Sequence, residues 1–490
     1  MNTEVLMVYL PVDFGAGRSY GLPPLGCYYL ATELKNRGRD ARVLDACIEG
    51  WTVEETIDQI KKHDPAIIGI SGLTPHLRSM RKVIQQLKKI GLGDRVVCGG
   101  PHFNDTQGEA MDFLGIDFAM YGECDHAFAE LAERLLTGED YSQVPNLIYR
   151  DEAGEIVTNP AGKYIDDLDT LPFPDLSLGN VDDYEMIYGR ERKAISIMGS
   201  RGCPYLCTFC DVFSVWGRKV RSRTPKNVVD EIVYHRDTFG ITEIFFRDSV
   251  FTLNYKWLEK FLDELEERDV KITWHCNGRV DRVTEPLLRR MKKLGLYCIS
   301  YGVESGNQEI LNSMKKGIDI STIEKMFKLT TDIGLQANGY FMVGNPGETS
   351  AEAKETLDLA LRLPTTFVDI GPTVAYPGTE IYSMAMRENL VENPQWYMQD
   401  TAMGQGAAGV VRYESPGQLA LKGFSPDEQF EFCRLFLRKF YYRPQSVYRI
   451  LIKHFSPRLF FRAIKFLPVF MSITLRKKQT RQQVHEPAPA

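Results

Sequence analysis

The chain has 490 residues, too many for one ordinary hydrophobic core, so two or three domains are expected. With 43% hydrophobic and 25% charged residues it reads as a globular chain, and a net charge of −6 gives no reason to expect a nucleic acid partner. Residues 1–17 show no basic run ahead of a long apolar one, and no stretch of about 18 uncharged apolar residues occurs, so the expectation is a cytoplasmic protein without a secretory signal or an ordinary spanning helix.

Residues 1–140 alternate short apolar runs with amphipathic segments. The runs are Val5–Leu10, Arg42–Asp45, Ala66–Ser71, Arg95–Gly99 and Asp117–Tyr121, and the segments are Pro24–Arg37, Val53–Lys62, His76–Ile90, Asp105–Leu114 and His126–Leu136. Strict alternation of strand and helix predicts an α/β domain of Rossmann-like, flavodoxin-like form, with an open parallel sheet covered on both faces. Ligands of such sheets bind outside the C-terminal strand ends. The loops there are Pro11–Gly15, Ser71-Gly72-Leu73-Thr74-Pro75, Gly99-Gly100-Pro101-His102 and Gly122-Glu123. Their glycines let a backbone approach a large flat ligand, and their hydroxyls can bond its polar rim. No G-x-G-x-x-G follows the first run, which counts against a dinucleotide. His102 and His126 read as satisfied loop and cap residues.

Residues 141–190 form a connector, with a hairpin over Asn146–Thr158 and a stiff segment Leu171-Pro172-Phe173-Pro174-Asp175. From Ala194 six strand-helix units follow, which predicts a partial (β/α)6 barrel over residues 191–393. Its strands are Ala194–Met198, Glu243–Phe246, Ile272–His275, Cys298–Gly302, Gln336–Val343 and Phe367–Ile370. Function is expected at the C-terminal strand ends.

The loop after the first of these strands is Cys203-Pro204-Tyr205-Leu206-Cys207-Thr208-Phe209-Cys210. Cysteines spaced C-x3-C-x2-C can hold three irons of a [4Fe–4S] cluster and leave the fourth iron open. The alternative is structural zinc, completed by His275 or Cys276. The remaining cysteines, Cys27, Cys47, Cys98, Cys124, Cys276, Cys298 and Cys433, lack ligand spacing and read as small buried apolar residues. Cys203, Cys207 and Cys210, with Phe209 ahead of the last, resemble the signature of the radical S-adenosylmethionine (SAM) enzymes. That resemblance implies that the open iron chelates SAM and that an electron from the cluster cleaves it to a 5′-deoxyadenosyl radical.

The resemblance extends to further strand ends. In Phe246-Arg247-Asp248-Ser249 the family often carries two acids that bind the SAM ammonium, and here only Asp248 is acidic because Arg247 replaces the first. Arg279, in Asn277-Gly278-Arg279-Val280-Asp281, is expected to bind the SAM carboxylate through its fork. Glu304 and Ser305, in Gly302–Gly306, correspond to residues that reach SAM, and Gly344 opens the turn Gly344-Asn345-Pro346-Gly347-Glu348-Thr349 beside the adenine. Tyr376-Pro377-Gly378-Thr379 reads as a barrel-closing turn. The N-terminal segment is similar to the cobalamin-binding domain of one large branch of these enzymes. Ser71, Gly72, Thr74, Gly99, Gly100, Gly122 and Glu123 are the implied cobalamin contacts. The D-x-H-x-x-G motif that supplies an axial histidine elsewhere is missing, since Asp45 has no such histidine after it. The alternative is a flavodoxin-like domain that binds nothing and docks on the barrel.

Residues 394–490 are expected to form a helical, basic region with a polar tail. Residues 394–424 read as a substrate-side loop. From Arg434 to Leu475 there are nine Lys/Arg and no Asp/Glu among many aromatic and aliphatic residues, so this segment is expected either at a membrane surface or as a lid packed on the barrel. The resemblance implies a methyltransferase that acts on an unactivated carbon of a small, hydrophobic or natural-product substrate and takes electrons from a flavodoxin or ferredoxin. An anaerobic Mg-protoporphyrin cyclase type of activity and a non-catalytic Fe–S regulator are the alternatives.

Overall fold

Short runs rich in Val and Ile build the first sheet: β1 (Val5–Tyr9), β2 (Ala41–Asp45), β3 (Ile67–Ser71), β4 (Val96–Gly99) and β5 (Phe118–Met120). The computed structural model describes residues 3–14, 21–182, 184, 189–191, 193–398 and 417–453. These five strands are parallel in the order β2-β1-β3-β4-β5. They are buried on both faces beneath the helices Leu25–Asn36, Val53–His63, Leu77–Lys89, His102–Leu114 and Asp125–Thr137. The predicted hairpin forms as β6 (Leu147–Arg150) and β7 (Ile156–Thr158). It does not stand apart as a connector, because β6 pairs antiparallel with β5 and extends this sheet to seven strands.

The barrel sheet runs β15-β14-β13-β12-β11-β8 and is parallel throughout. Its strands are β8 (Ala194–Ile197), β11 (Glu243–Phe246), β12 (Thr273–Gly278), β13 (Leu296–Glu304), β14 (Gln336–Val343) and β15 (Phe367–Pro372). Between β8 and β11 a two-stranded ribbon, β9 (Ser200–Arg201) and β10 (Arg221–Ser222), brackets the cysteine loop. Alternate residues of the sheet face the surrounding helices, where Phe246, Phe251, Phe261 and Trp274 meet edge to face or stacked at 4.1–5.9 Å between ring centroids.

An open sheet leaves its last strand with unpaired backbone groups, and β15 is covered in a specific way. The helix Pro426–Tyr441 packs on it, and the Tyr441 hydroxyl donates to the Val368 carbonyl at 2.8 Å and accepts from the Val368 amide at 3.0 Å. A capping box of Ser425 with Glu428 starts that helix, and Cys433, Phe436, Leu437 and Phe440 bury its inner face. The described basic segment is thus packed on the barrel as far as Tyr441, and beyond it Tyr442, Val447, Tyr448 and Ile452 are exposed. Arg443 donates to the Leu361 carbonyl, and Arg449 to those of Leu363 and Thr365, at the C-terminal end of the helix Ser350–Arg362. Cations at that end satisfy otherwise orphaned carbonyls and oppose the helix dipole. Residues 399–416 of the expected loop, and 454–490 with most of the basic segment and the polar tail, lie outside the described residues. Among the described residues no helix is long and apolar enough to cross a membrane.

Truncation at the aromatic cluster should be costly, because Phe261 is fully buried among four other rings. We expect Phe261→Ala to lower the stability of the barrel by about 3–5 kcal/mol. A denaturant midpoint equal to that of the parent would contradict this packing.

Candidate functional site

The cysteine loop leaves the end of β8 and is fixed on every side. The Gly199 amide donates to Asp248 at 3.0 Å and the Ser200 hydroxyl at 2.6 Å, so both oxygens of this buried carboxylate hold the start of the loop. Gly202 adopts φ +96°, and a Cβ there would overlap the Lys219 carbonyl, so only glycine allows the strand to turn into the loop. The Cys203 amide donates to Gly217, the Thr208 amide to Met314, and the Ile381 amide to the Thr208 carbonyl. Tyr205 is clamped by the Arg279 guanidinium 3.7 Å above its ring and by Arg282, whose Nε donates to its hydroxyl at 2.8 Å.

Cys203, Cys207 and Cys210 lie together and half-buried, near enough for charge on Cys203 to disfavour ionisation of Cys207 and Cys210. Burial raises Cys207, with Lys316 and Arg279 opposing, and pushes Cys210 up to about 11. Thiols held this way need metal ions to release their protons. Among the described residues no three His, Cys, Asp or Glu side chains converge closely enough to hold a single ion. Three half-buried thiols carried by one loop after β8, with Lys316 and Arg279 beside them to offset thiolate charge, are the donor set a cluster with one open iron requires. The suggested zinc partners do not join it: the His275 ring bonds Ser300 inside the barrel, and Cys276 lies fully buried in the apolar core.

The residues expected around SAM gather at the strand ends, but several have other work. Asp248 is spent on the loop it holds. The Arg279 fork donates to Asp281 and to the carbonyls of Lys316 and Gly317 at 2.9–3.2 Å, which leaves no free bidentate face. Ser305 is fully buried, where its hydroxyl bonds Thr356 and accepts from the Asn307 amide, so it cannot reach a ligand. Glu304 is different. The pairing of β13 with β14 shifts register between Gly302 and Glu304, and Glu304 takes the rare φ of +67°. Such a bulge re-aims a side chain beside a site, and this one brings Glu304 to 2.6 Å from Lys316, whose ammonium lies 5.7 Å over the Phe209 ring. At Gly344 no side chain would fit, because Gln429 of the covering helix fills the space.

The N-terminal sheet turns its strand ends towards this loop. A cavity of about 250 Å³ lies between them, lined by Ser71, Gly99, Gly100, Gly122 and Glu123 from one side and by Met198, Arg201 and Trp216 from the other. Tyr29, Met120 and Phe128 make its walls largely apolar. It is too small for a corrin ring and suits an aromatic base such as that of the cobalamin nucleotide tail, so the residues fit that group. Gly72 and Thr74 support the rim instead: the Gly72 amide donates to the Gly99 carbonyl at 3.0 Å, and the Thr74 hydroxyl bonds His102 Nδ1 at 3.0 Å. Gly100 takes φ +112° with no room for a Cβ beside the Gly72 carbonyl. His102 is buried, and burial holds it down to about 4, so it is neutral. Exposed His126 bonds Glu33, and Asp45 accepts from the amides of Cys47 and Ile48 as a helix cap.

Glu123 lines the cavity and is also held by a network of its own. Its carboxylate is buried and faces Arg201 at 2.6 Å and Arg221 at 2.7 Å, while it also accepts from the Ile165 amide. Asp125 completes the group with a two-pronged bond to Arg201 at 2.7 and 3.0 Å. Burial would raise Asp125, but Arg201 overrides it and holds the carboxyl below its usual range. Glu123 thus ties the first sheet to the ribbon that carries the cysteine loop. An arginine directly ahead of the cysteine loop, with no acid near it in sequence, is the signal in the sequence that points to this junction.

Two outcomes follow. Arg201→Met strands buried carboxylates and should destabilise the chain by about 3–5 kcal/mol, and Arg201→Met with Asp125→Leu should recover part of that loss in thermal unfolding. Glu348 accepts from the amide and side chain of Asn345, has its other oxygen unpartnered, and is pushed up by burial from 4.5 to about 7. The native state holds this proton where the unfolded state has lost it, so the contribution is full below pH 4.5 and is lost as pH rises through 7. Glu348→Gln should gain on the parent across that window, by about 2–3 kcal/mol at most, and equal pH–stability curves for the two would contradict the assignment.

Comparison with known proteins agrees with this geometry. Residues 13–132 match the B12 binding domain, and residues 197–360 match the Radical SAM superfamily. An uncharacterized methyltransferase of Pyrococcus horikoshii is 28% identical over 92% of this chain and 95% of its own length. The anaerobic magnesium-protoporphyrin IX monomethyl ester cyclase of Rubrivivax gelatinosus is 29% identical over 71% of this chain, which spans 63% of that enzyme. Among solved structures, the radical SAM methyltransferase TsrM from Kitasatospora setae, with cobalamin and [4Fe–4S] cluster bound, gives a TM-score of 0.68 at 20% identity, covering 92% of this chain and 90% of that one. The cobalamin-dependent SAM radical enzyme OxsB gives 0.67 at 17% identity, covering 96% and 72%. At these identities the solved structures show a shared fold. With both domains matched, and with the cysteine loop and the cavity meeting at one junction, the chain belongs to the radical SAM enzymes that carry a B12-binding domain, whose cofactors are a [4Fe–4S] cluster, SAM and cobalamin.

Proposed function

We propose that the protein is a methyltransferase that acts on an unactivated carbon of a small molecule, a natural-product substrate in the broad sense. The observation that carries this reading is that the cavity between Ser71, Gly99 and Gly100 is also lined by Arg201 and Trp216, which flank the cysteine loop, so that the cobalamin and cluster sites adjoin. Methyl transfer is favoured over cyclisation because the match to the Pyrococcus methyltransferase runs along 95% of that protein, whereas the Rubrivivax cyclase has a third of its length outside the match.

Cys203, Cys207 and Cys210 would hold the cluster, and Ser71, Gly99, Gly100 and Gly122 would cradle the cobalamin tail. Bound there, the cluster and cobalamin supply the electron that cleaves SAM and the carrier of the methyl group. The chain's own part is to fix geometry and to keep the reaction dry, since radical steps demand near-attack placement. Asp248, Arg279 and Tyr205 set the position of the cysteine loop. Phe209 and the Lys316–Glu304 pair form the wall beside it, where Lys316 can neutralise thiolate charge. Leu206 is exposed on the loop, and exposed Arg218 donates to the carbonyl of the preceding Tyr205, a cationic edge that suits an acidic electron donor such as flavodoxin or ferredoxin.

With SAM labelled in its methyl group, the product should carry the label, and 5′-deoxyadenosine and S-adenosylhomocysteine should form in near-equal amounts. Turnover that yields 5′-deoxyadenosine without S-adenosylhomocysteine or methyl transfer would replace this reading with the cyclase type. Alanine at Cys203, Cys207 or Cys210 should abolish SAM cleavage and strip iron from a chain whose circular dichroism is unchanged.

A further inference from the structure

The inner face of the barrel is polar where a lipid-binding barrel would be apolar. Parallel pairing sets its rows. Ser196, Phe245 and His275 face one another in the lowest row. Asn277, Ser300 and Asn338 follow in the next, with Arg247 beside Asn277 because Phe246 pairs with Cys276. Gly302, Tyr340 and Asp369 form the row nearest the strand ends. Contacts confirm the direction of these side chains: His275 Nε2 bonds Ser300 at 2.8 Å, the Phe245 and His275 rings meet at 4.4 Å, and Arg247 lies 4.5 Å over Phe245.

Within this lining several groups lack a full set of partners. Arg247 is exposed and donates through Nε to Ser196 at 3.2 Å, and among the described residues no carboxylate lies within ion-pair distance of it. Asn338 is 4% exposed and its Oδ1 is unpartnered, as is Oδ1 of Asn277 in the same row. Buried polar atoms left unpaired cost free energy that a ligand with matching donors returns. On β15, with three strands between it and β11, Asp369 is half-buried and bonds the Ile370 amide, and poor solvation raises it to about 7. The Arg247 guanidinium lies close enough to Tyr340 and to Tyr9, which ends β1 of the first sheet, for its charge to favour ionisation of both against burial.

We propose that the barrel lumen recognises a small, polar, anionic substrate, with Arg247 anchoring its carboxylate or phosphate and the Asn277–Asn338 row and Asp369 bonding its donor groups. This rests on the reading that the barrel encloses the reacting substrate, and it narrows the expected hydrophobic substrate to one whose apolar part is modest. Arg247 is a specificity-determining residue here, distinct from Arg279, whose fork is already spent.

The test uses ligand-observed NMR titrations of the full chain, reconstituted with cluster and hydroxocobalamin and saturated with SAM. The probes are 3-phenylpropanoate, phenethyl phosphate, phenethylamine and 3-phenylpropanol. Binding of an anion in preference to the amine and the alcohol is expected, and the two anions separate a carboxylate from a phosphate site. Arg247→Met should weaken that anion about tenfold or more, as loss of a charge-assisted bond does, while the SAM affinity stays unchanged. If that variant folds poorly, Arg247→Gln and Asn338→Leu carry the same comparison. Binding that ignores charge, absence of anion binding, or a SAM affinity that falls in step with the Arg247 change would each overturn the proposal. Turnover is not read, so failure of the labelling experiment and failure of this one are separate results.

Discussion

The structure depends on a buried ionic junction. Arg201 and Arg221, paired across the small ribbon, meet Glu123 and Asp125 at the end of the first sheet, with all four side chains largely removed from water. Such a group gains little net stability over an apolar one, but it tolerates no misplacement, since a carboxylate that loses its guanidinium stays buried and charged. Its value is geometric. The same ribbon carries the cysteine loop, and the same acids line the cavity under the glycine loops, so one set of bonds fixes the separation of two cofactor sites carried by different domains.

The rest of the site is arranged by backbone more than by side chains. The Gly202 turn, the bulge at Glu304 and the glycine-bounded approach of the Gly72 and Gly100 loops are each conformations that ordinary residues resist. They bring a thiol loop, a lysine–glutamate pair and a cavity to the C-terminal edges of two parallel sheets. The open edge of the barrel is closed by Tyr441, and the basic residues after it cap helix carbonyls. Packing thereby accounts for the described part of the basic segment as far as Tyr441.

The polarity of the barrel interior sets this chain's chemistry apart from a generic greasy pocket. The outer face of the same strands is aromatic and aliphatic, so the alternation along each strand divides stability from recognition: one parity packs the helices, and the other presents Arg247, Asn277, Asn338 and Asp369. A substrate that satisfies these groups is held in front of the cysteine loop.

By itself the sequence determined the elements and brought three cysteines into one loop. Periodicity is a local property, so the runs Val5–Leu10 and Ala66–Ser71 became strands close to where they were read, and the cysteines 203, 207 and 210, four and three residues apart, can face one another only in a tight loop. Tertiary structure decided how the side chains at the strand ends are used, because a carboxylate or guanidinium reads the same in sequence whether it meets a ligand or another residue far along the chain. Glu123 and Arg201 are 78 positions apart, Asp248 and Ser200 48, and Arg279 and Lys316 37, and each of those bonds ties an expected ligand residue to a distant part of the chain. The hairpin over Asn146–Thr158 shows the same limit, since two strands are legible locally but the sheet they join is not. Which face of a barrel strand is polar follows from register, and register is set by long-range pairing that no local pattern contains.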